Sequence, residues 1–116
     1  MFKLITLTSL TIPFLLASMN IQAATASFYG SKFHGKKTAS GEVFDMNKMT
    51  CASNTHKMGT KLKVVNRANK NSVVCKVNDT GGFSKYGRTL DLSKAAFAKI
   101  ADLKHGLVKV DIKVLH

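Results

Sequence analysis

Two aspartates have the residue type and the local sequence that suit proton transfer. Asp79 follows the apolar stretch 72–77 and precedes Gly81-Gly82, a pair that lets a ligand approach the backbone closely. Asp91 stands two residues before Ser93, a residue that favours the start of a helix. An aspartic acid donates protons near neutral pH when burial or a neighbouring carboxylate raises its pKa. We therefore expect Asp79 to be a general acid and Asp91 to be its neighbouring charge.

Each of these charged residues also has a structural interpretation. An aspartate before Gly-Gly is often only a turn residue, and Asp91 can serve the approach to the helix cap. Glu42, in Ser-Gly-Glu, is either a second acid of a binding groove or an exposed turn charge. Arg88 can bind a ligand carboxylate or the Asp91 side chain, because a guanidinium group is a directed cation.

Short apolar runs between Gly-, Asn- and Lys-rich turns indicate a mostly β domain. Four segments have strand character, and the last of them alternates apolar and charged residues from Val108 to Val114. A helix is expected from an N-cap at Ser93 through Ala101, with Gly106 beyond its end. Six or so strands around one or two short helices should close into a barrel, since an open sheet of this size has exposed edges. The four predicted strands are Ala26 to Tyr29, Lys61 to Asn66, Ser72 to Asn78 and Leu107 to Leu115.

The N-terminal segment has the three regions of a secretory signal peptide. Met1-Phe2-Lys3 is followed by an apolar run from Leu4 to Leu16 and by small residues that end at Ala23-Ala24. A transmembrane anchor is the alternative, but the run is shorter than the ~20 apolar residues that span a bilayer. No cysteine near the cleavage zone offers a site for a lipid anchor. We expect residues 1–23 to be removed and residues 24–116 to form one small periplasmic or secreted domain with no stable membrane anchor.

The two cysteines, Cys51 and Cys75, are expected to form a disulfide in an oxidising compartment. A catalytic or metal-binding thiol is the alternative. The four histidines are scattered without the spacing of zinc ligands, so no metal site is expected.

The net charge of +12 favours polyanionic partners, although it can also serve solubility alone. An exported chain without a nucleic-acid motif is not expected to bind nucleic acid.

The order and spacing of many short motifs resemble the rare lipoprotein A (RlpA-like) family from Ala26 to Leu115. This resemblance implies a six-stranded double-psi β-barrel and lytic transglycosylase activity on the glycan strands of peptidoglycan. It also implies that Asp79 is the catalytic acid. The motifs are Ala26-Ser27-Phe28-Tyr29-Gly30, Phe33-His34-Gly35, Thr38-Ala39-Ser40-Gly41-Glu42-Val43-Phe44-Asp45, Gly59-Thr60, Val65-Asn66, Val73-Val74-Cys75-Lys76-Val77-Asn78-Asp79 and Asp91-Leu92-Ser93-Lys94-Ala95-Ala96.

The resemblance suggests further residues of a sugar-binding groove. Tyr29 and His34 match motifs of the first loop and either line the groove or pack the barrel. Ser53 occupies a groove position at which the family commonly carries a histidine, and His56 lies in a different register. The Asp79 motif also departs from the family's usual Arg and Pro, with Thr80 and Gly82 in their places.

Three functions follow as alternatives. The first is a monomeric lytic transglycosylase that needs no cofactor, because one acid can protonate the leaving oxygen and later accept a proton. The second, favoured by Ser53 and the high charge, is an expansin-like protein that binds cell walls without cutting them. The third is a secreted inhibitor of papain-like proteases, for which the small disulfide-linked barrel is a suitable scaffold.

Overall fold

Six short strands form most of the computed structural model, which describes residues 21–81 and 89–116. One α-helix, α1 (Lys94–Ile100), follows the fifth strand, and two 3-10 turns cover Ser31–Phe33 and Leu103–His105. The strands are β1 (Ile21–Tyr29), β2 (Thr50–Ala52), β3 (Lys61–Asn66), β4 (Ser72–Asp79), β5 (Leu90–Ser93) and β6 (Val108–Leu115).

The strands close into a barrel in the order β1-β5-β2-β4-β3-β6, and β6 pairs back to β1. The pairs β1–β5 and β2–β4 are parallel, and the other four pairs are antiparallel. Closure gives each of these strands a partner on both sides, which removes exposed sheet edges. The expected fold, an all-β six-stranded double-psi β-barrel with one or two short helices, is confirmed, and the described residues contain one α-helix.

Alternation along the strands builds the core of the barrel. In β3, Leu62 and Val64 are buried while Lys61 and Lys63 are exposed, and β6 buries Val110 and Ile112 in the same way. The period of two thus directs one set of side chains inward and the other to solvent. Helix α1 adds three buried side chains to this core: Ala96, Phe97 and Ile100.

Ser93 ends β5 and caps α1, as expected from the sequence. Its Oγ accepts a hydrogen bond from the Ala96 N–H at 3.2 Å and donates one to the Lys48 carbonyl at 2.6 Å. The helix ends at Ile100, one residue earlier than expected, because Ala101 has extended backbone angles and forms the C-cap.

The other element boundaries differ from expectation at particular points. β1 begins at Ile21 rather than Ala26, because residues 21–25 pair with β6. β4 extends by one residue to Asp79. The sequence does not identify β2 and β5 individually, since strands of three and four residues are too short to show a period.

The first three residues of β1 belong to the segment that we expect the signal peptidase to remove, and that cleavage stays a prediction. In the part of the chain that the structure describes, no helix has the length and apolar character needed to cross a membrane.

The expected disulfide is confirmed. Cys51 in β2 and Cys75 in β4 are fully buried and bonded, with their Cα atoms 5.8 Å apart. The bond therefore links two neighbouring strands inside the barrel, one of which has only three residues.

Replacing both cysteines (Cys51→Ala with Cys75→Ala) should lower the free energy of unfolding by about 3 kcal/mol. The bond joins positions separated by 24 residues, and its loss restores the corresponding chain entropy to the unfolded state. Urea denaturation measures the change. Reducing the wild-type protein should lower its stability by a similar amount and leave the variant unchanged; equal stabilities of oxidised wild type and variant would contradict the prediction.

Candidate active site

The register between β2 and β4 shifts where the two strands end. Cys51 pairs with Val77, but the next residue, Ala52, pairs with Asp79, so Asn78 is an extra residue in β4. A β-bulge of this kind bends the strand and redirects the side chain that follows it. The bulge therefore brings Asp79 to the face of the barrel that Ala52 occupies.

Four residues lie in one row on this face, across four neighbouring strands. Ser27 pairs with Asp91, Asp91 with Ala52, and Ala52 with Asp79. Residues in register point to the same side of a sheet, and two strand spacings place the Cα atoms of the acids about 10 Å apart. The fold thus brings together Asp79 and Asp91, the two residues that the sequence proposed as acid and neighbour.

The backbone holds one oxygen of Asp79. Its Oδ1 accepts hydrogen bonds from the N–H groups of Ala39 and Thr80, both at 2.9 Å. The loop that contains Ala39 turns at Gly41, which has a φ of 92° that favours glycine. Among the described residues nothing hydrogen-bonds to Oδ2, and the side chain is only half-buried. This second oxygen is therefore available to a ligand.

Asp91 is also oriented, in its case by a side chain. The hydroxyl of Ser27 donates a hydrogen bond to Asp91 Oδ1 at 2.8 Å. Because Ser27 is almost fully buried, this contact fixes the carboxyl group on the floor of the row.

Tyr29 packs beside both acids. Its ring is 9% exposed and stacks on Phe44 at a centroid distance of 4.4 Å, and the two rings cover Ala52. Burial, and then the charges of Asp79 and Asp91, raise the pKa of Tyr29 well above its usual range. The phenol therefore stays protonated and can only act as a hydrogen-bond donor or acceptor.

The Tyr29 hydroxyl has no hydrogen-bond partner among the described residues. The Thr50 hydroxyl lies near enough to lower the pKa of Tyr29 slightly, but the Tyr29 and Thr50 oxygens lack hydrogen-bond geometry. The packing of the ring thus favours the interpretation that Tyr29 packs against the barrel. Its hydroxyl, which lacks a partner, can still hydrogen-bond to a ligand.

Glu42 is exposed and paired. Its Oε2 accepts a hydrogen bond from Lys76 Nζ at 2.9 Å. This ammonium group, and then the Asn78 amide, hold the pKa of Glu42 below its usual range. Glu42 is therefore ionised near neutral pH and is unsuited to donate a proton, although it remains able to accept hydrogen bonds from a ligand.

Ser53 forms the corner of a tight turn that the sequence did not reveal. It is 1% exposed, and its Oγ accepts hydrogen bonds from the N–H groups of Thr55 and His56, both at 3.2 Å. The Ser53 Oγ also lies 3.0 Å from His56 Nδ1. Thr55 Oγ1 lies 3.3 Å from the same nitrogen, so two hydroxyl groups adjoin His56 Nδ1. When one of these hydroxyls donates to Nδ1, the imidazole proton is on Nε2.

This turn is attached to the strand that carries Asp79. The Ser53 N–H donates to the Asp79 carbonyl at 2.9 Å. The Asn54 side chain donates to the Gly81 carbonyl at 2.7 Å and accepts from the Gly81 N–H at 3.1 Å. A half-buried imidazole is thus fixed on the loop beside the candidate acid, three residues after the position where the sequence analysis looked for one.

The remaining two candidates are not placed in the row. His34 Nδ1 accepts a hydrogen bond from the Met46 N–H at 3.2 Å, within the loop that follows β1. Its ring has no hydrogen bond to either acid in the described part of the chain. Arg88 lies outside the described residues.

A polar cavity of about 390 Å³ adjoins the site, and Glu42, Lys48, Thr50, Lys76 and Asn78 contribute to its lining. A larger cavity, of about 700 Å³, lies at the other end of β4, between the β3–β4 turn and the end of α1. Its distance from Asp79 along the strand separates it from the candidate acid. In residues 21–81 and 89–116 there is no group of three His, Cys, Asp or Glu side chains that could hold a metal ion.

These features define a class of protein: a double-psi β-barrel in which a β-bulge positions an aspartate. The chain matches the family model described as lytic transglycolase over residues 21–112, and it belongs to this RlpA-like family.

One curated relative is the endolytic peptidoglycan transglycosylase RlpA of Rickettsia bellii, which is 46% identical over 94 residues. The match covers 78% of this chain and 41% of that protein, so the chain spans less than half of its relative's length.

Solved structures with the same fold include the Streptomyces papain inhibitor, with a TM-score of 0.67 and 23% identity. That match covers 84% of this chain and 96% of the inhibitor. Another is an expansin variant from Clavibacter michiganensis in complex with cellohexaose, with a TM-score of 0.65 and 20% identity. The match covers 83% of this chain and 50% of the expansin. At these identities the likeness shows the fold alone.

The buried Tyr29 should make the protein sensitive to alkali. Above about pH 10 the phenol ionises in the unfolded chain but not in the folded one. Each further pH unit should therefore lower the free energy of unfolding by up to about 1.4 kcal/mol. In urea unfolding at a series of alkaline pH values, the stability of Tyr29→Phe should fall less steeply than that of the wild type. Parallel curves for the two proteins would contradict the assigned environment of Tyr29.

Proposed function

We propose that this chain is an exported lytic transglycosylase that cleaves the glycan strands of peptidoglycan, with Asp79 as its catalytic acid. Membership of the family and the name of the Rickettsia relative support the activity. The observation that carries the proposal is the bulge at Asn78, which places Asp79 on the open face with one oxygen held by two N–H groups and the other free.

The reaction requires one acid that acts twice. Protonated Asp79 donates its proton to the glycosidic oxygen as the bond from C1 of N-acetylmuramic acid breaks. The resulting carboxylate then takes the proton of the muramyl C6 hydroxyl, whose oxygen attacks C1 and closes a 1,6-anhydro ring. Water is not consumed, so no second carboxylate is needed to activate it, in contrast to glycoside hydrolases.

The neighbouring residues receive binding and positioning roles in this proposal. Asp91, oriented by Ser27, contacts the sugar and keeps a negative charge in the same row as the acid. Tyr29, packed with Phe44 and Ala52, holds its hydroxyl without a partner among the described residues and offers it as a hydrogen-bonding group.

Other groove residues act on the sugars around the cleaved bond. Glu42 accepts hydrogen bonds from sugar hydroxyls as a carboxylate paired with Lys76. His34 contacts a sugar in this proposal, and Arg88 binds a glycan carboxylate.

Ser53 acts through His56. Family members commonly carry a histidine at the position of Ser53, and here the buried Ser53 hydroxyl holds the imidazole of His56 on the same loop. The loop is bonded to Asp79 and Gly81, so an Nε2–H donor lies on the segment that borders the acid. We propose that His56 hydrogen-bonds to the glycan in place of the missing family histidine.

The same proposal includes the location of the protein. Residues 1–23 are a cleaved signal peptide, and residues 24–116 form a monomeric domain that is free in the periplasm or secreted. The disulfide between Cys51 and Cys75 supports an oxidising compartment. The chemistry requires no cofactor, because the acid and the substrate supply all the protons that move.

A second candidate function is supported by Ser53 itself. If the Ser53–His56 pair does not replace the family histidine, the barrel is an expansin-like module that binds walls without cutting them. Inhibition of papain-like proteases has no comparable support, because the likeness to the papain inhibitor is one of fold.

Replacing Asp79 with Asn should reduce the release of anhydro-muropeptides from purified sacculi by about 100-fold or more, since the variant cannot transfer the proton. Mass spectrometry of the soluble products gives the readout. Asp102→Asn is the matched control, because it removes an exposed carboxylate near the other end of the barrel and should leave activity unchanged.

The products distinguish the alternatives. Products that end in ordinary reducing sugars would show hydrolysis instead of transglycosylation. Equal release of anhydro-muropeptides by the wild type and by Asp79→Asn would show that Asp79 is not the catalytic acid. Retention on sacculi without any soluble product would favour the wall-binding module.

A further inference from the structure

On the side of the barrel opposite the candidate active site, one row of exposed residues contains both lysines and apolar side chains. Val74 of β4 pairs with Lys63 of β3, Lys63 with Lys113 of β6, and Lys113 with Ile21 of β1. All four side chains are exposed. Two lysines thus stand side by side between two apolar residues, on strands that lie across the barrel from β5 and β2.

The adjacent row continues the same pattern. Lys61 pairs with Lys76 on one side and with Leu115 on the other. Lys61, Lys63 and Lys113 form no ion pair within residues 21–81 and 89–116, whereas Lys76 is bound to Glu42. We call Lys61, Lys63, Val74, Lys113 and Leu115 the basic wall, and leave out Ile21 because the proposed signal cleavage removes it.

Like charges directly opposite each other on neighbouring strands are unfavourable. The pair Lys63–Lys113 therefore weakens the barrel unless an anionic partner neutralises it. Asp111, on the same strand as Lys113, is already bound to Arg67 at 3.3 Å. The charge of the basic wall is thus complementary to a partner that presents several negative groups on a surface.

The apolar members decide between a surface and a soluble polymer. Val74 is 44% exposed and Leu115 37%, and each lies in register beside a lysine, Val74 beside Lys63 and Leu115 beside Lys61. A soluble polyanion gains nothing from these side chains, whereas a lipid interface accepts them below its charged headgroups while lysine stems extend toward the phosphates.

We propose that the basic wall docks on the surface of an anionic lipid bilayer. In this orientation the row that contains Asp79 and Asp91 faces away from the membrane, because it lies on the opposite side of the closed barrel. The docking does not depend on the catalytic role of Asp79.

The test is cosedimentation of the purified exported protein with vesicles of phosphatidylcholine alone or with phosphatidylglycerol added. Binding should require phosphatidylglycerol and should weaken with salt. The double variant Lys63→Gln with Lys113→Gln should bind the anionic vesicles about 30-fold more weakly, from the contribution of each lysine near such a surface. The matched control, Lys94→Gln with Lys99→Gln, has the same net charge and changes two exposed lysines of α1.

Three outcomes would overturn the proposal. Equal weakening by the control would mean that net charge alone attracts the protein. Binding to phosphatidylcholine vesicles that the Lys63/Lys113 variant does not weaken would mean that exposed apolar side chains bind the lipid without the lysines. Binding to soluble polyphosphate, unaffected by Val74→Ser and without vesicle binding, would assign the basic wall to a polymer; docking predicts that Val74→Ser weakens vesicle binding.

Discussion

The extra residue at Asn78 is the constraint on which the rest of the site depends. β2 and β4 run parallel in register through Cys51 and Val77, and one inserted residue then aligns Ala52 with Asp79. A regular strand would place Asn78 opposite Ala52 and turn Asp79 to the other face. The carboxylate would then lie away from Asp91. The bulge therefore places Asp79 and Asp91 in one row, on either side of Ala52, which packs under Tyr29 and Phe44.

Several weaker interactions keep this register. β2 has only three residues, and the disulfide from Cys51 to Cys75 ties it to β4 just before the shift. After the shift, the loop around Gly41 returns to bind Asp79 through the Ala39 N–H, and the turn at Ser53 binds its carbonyl. The disulfide thus contributes to function as well as stability, because it supports the strand pairing that positions the acid.

Barrel closure also separates two surfaces with different chemistry. The row of Asp79 and Asp91 uses β1, β5, β2 and β4, and the basic wall uses the outward positions of β4, β3 and β6. The core between them is apolar and continuous. The three lysines of the basic wall can therefore serve a partner other than the sugar.

The sequence predicts those parts of the structure that repeat. The alternation in β3, β4 and β6, the cap at Ser93 and the cysteine pair are visible because each rests on local spacing or on residue type.

The rest of the structure depends on pairing between distant segments. The three-residue β2 has no detectable period, the bulge at Asn78 exists only relative to β2, and the alignment of Lys63 with Lys113 requires the barrel to close. The contact from Ser53 to His56 needed the turn geometry, although a serine three residues before a histidine was a weak signal for it.

The most direct test of the account is a crystal structure of the Asp79→Asn variant with a short peptidoglycan glycan. We predict that the sugar chain lies beside Asp79 and Asp91, with a glycosidic oxygen within about 3.2 Å of the side chain at position 79. A glycan bound instead on the basic wall, or in the cavity lined by Asn66 and Lys109, would contradict the assignment of this row as the active site.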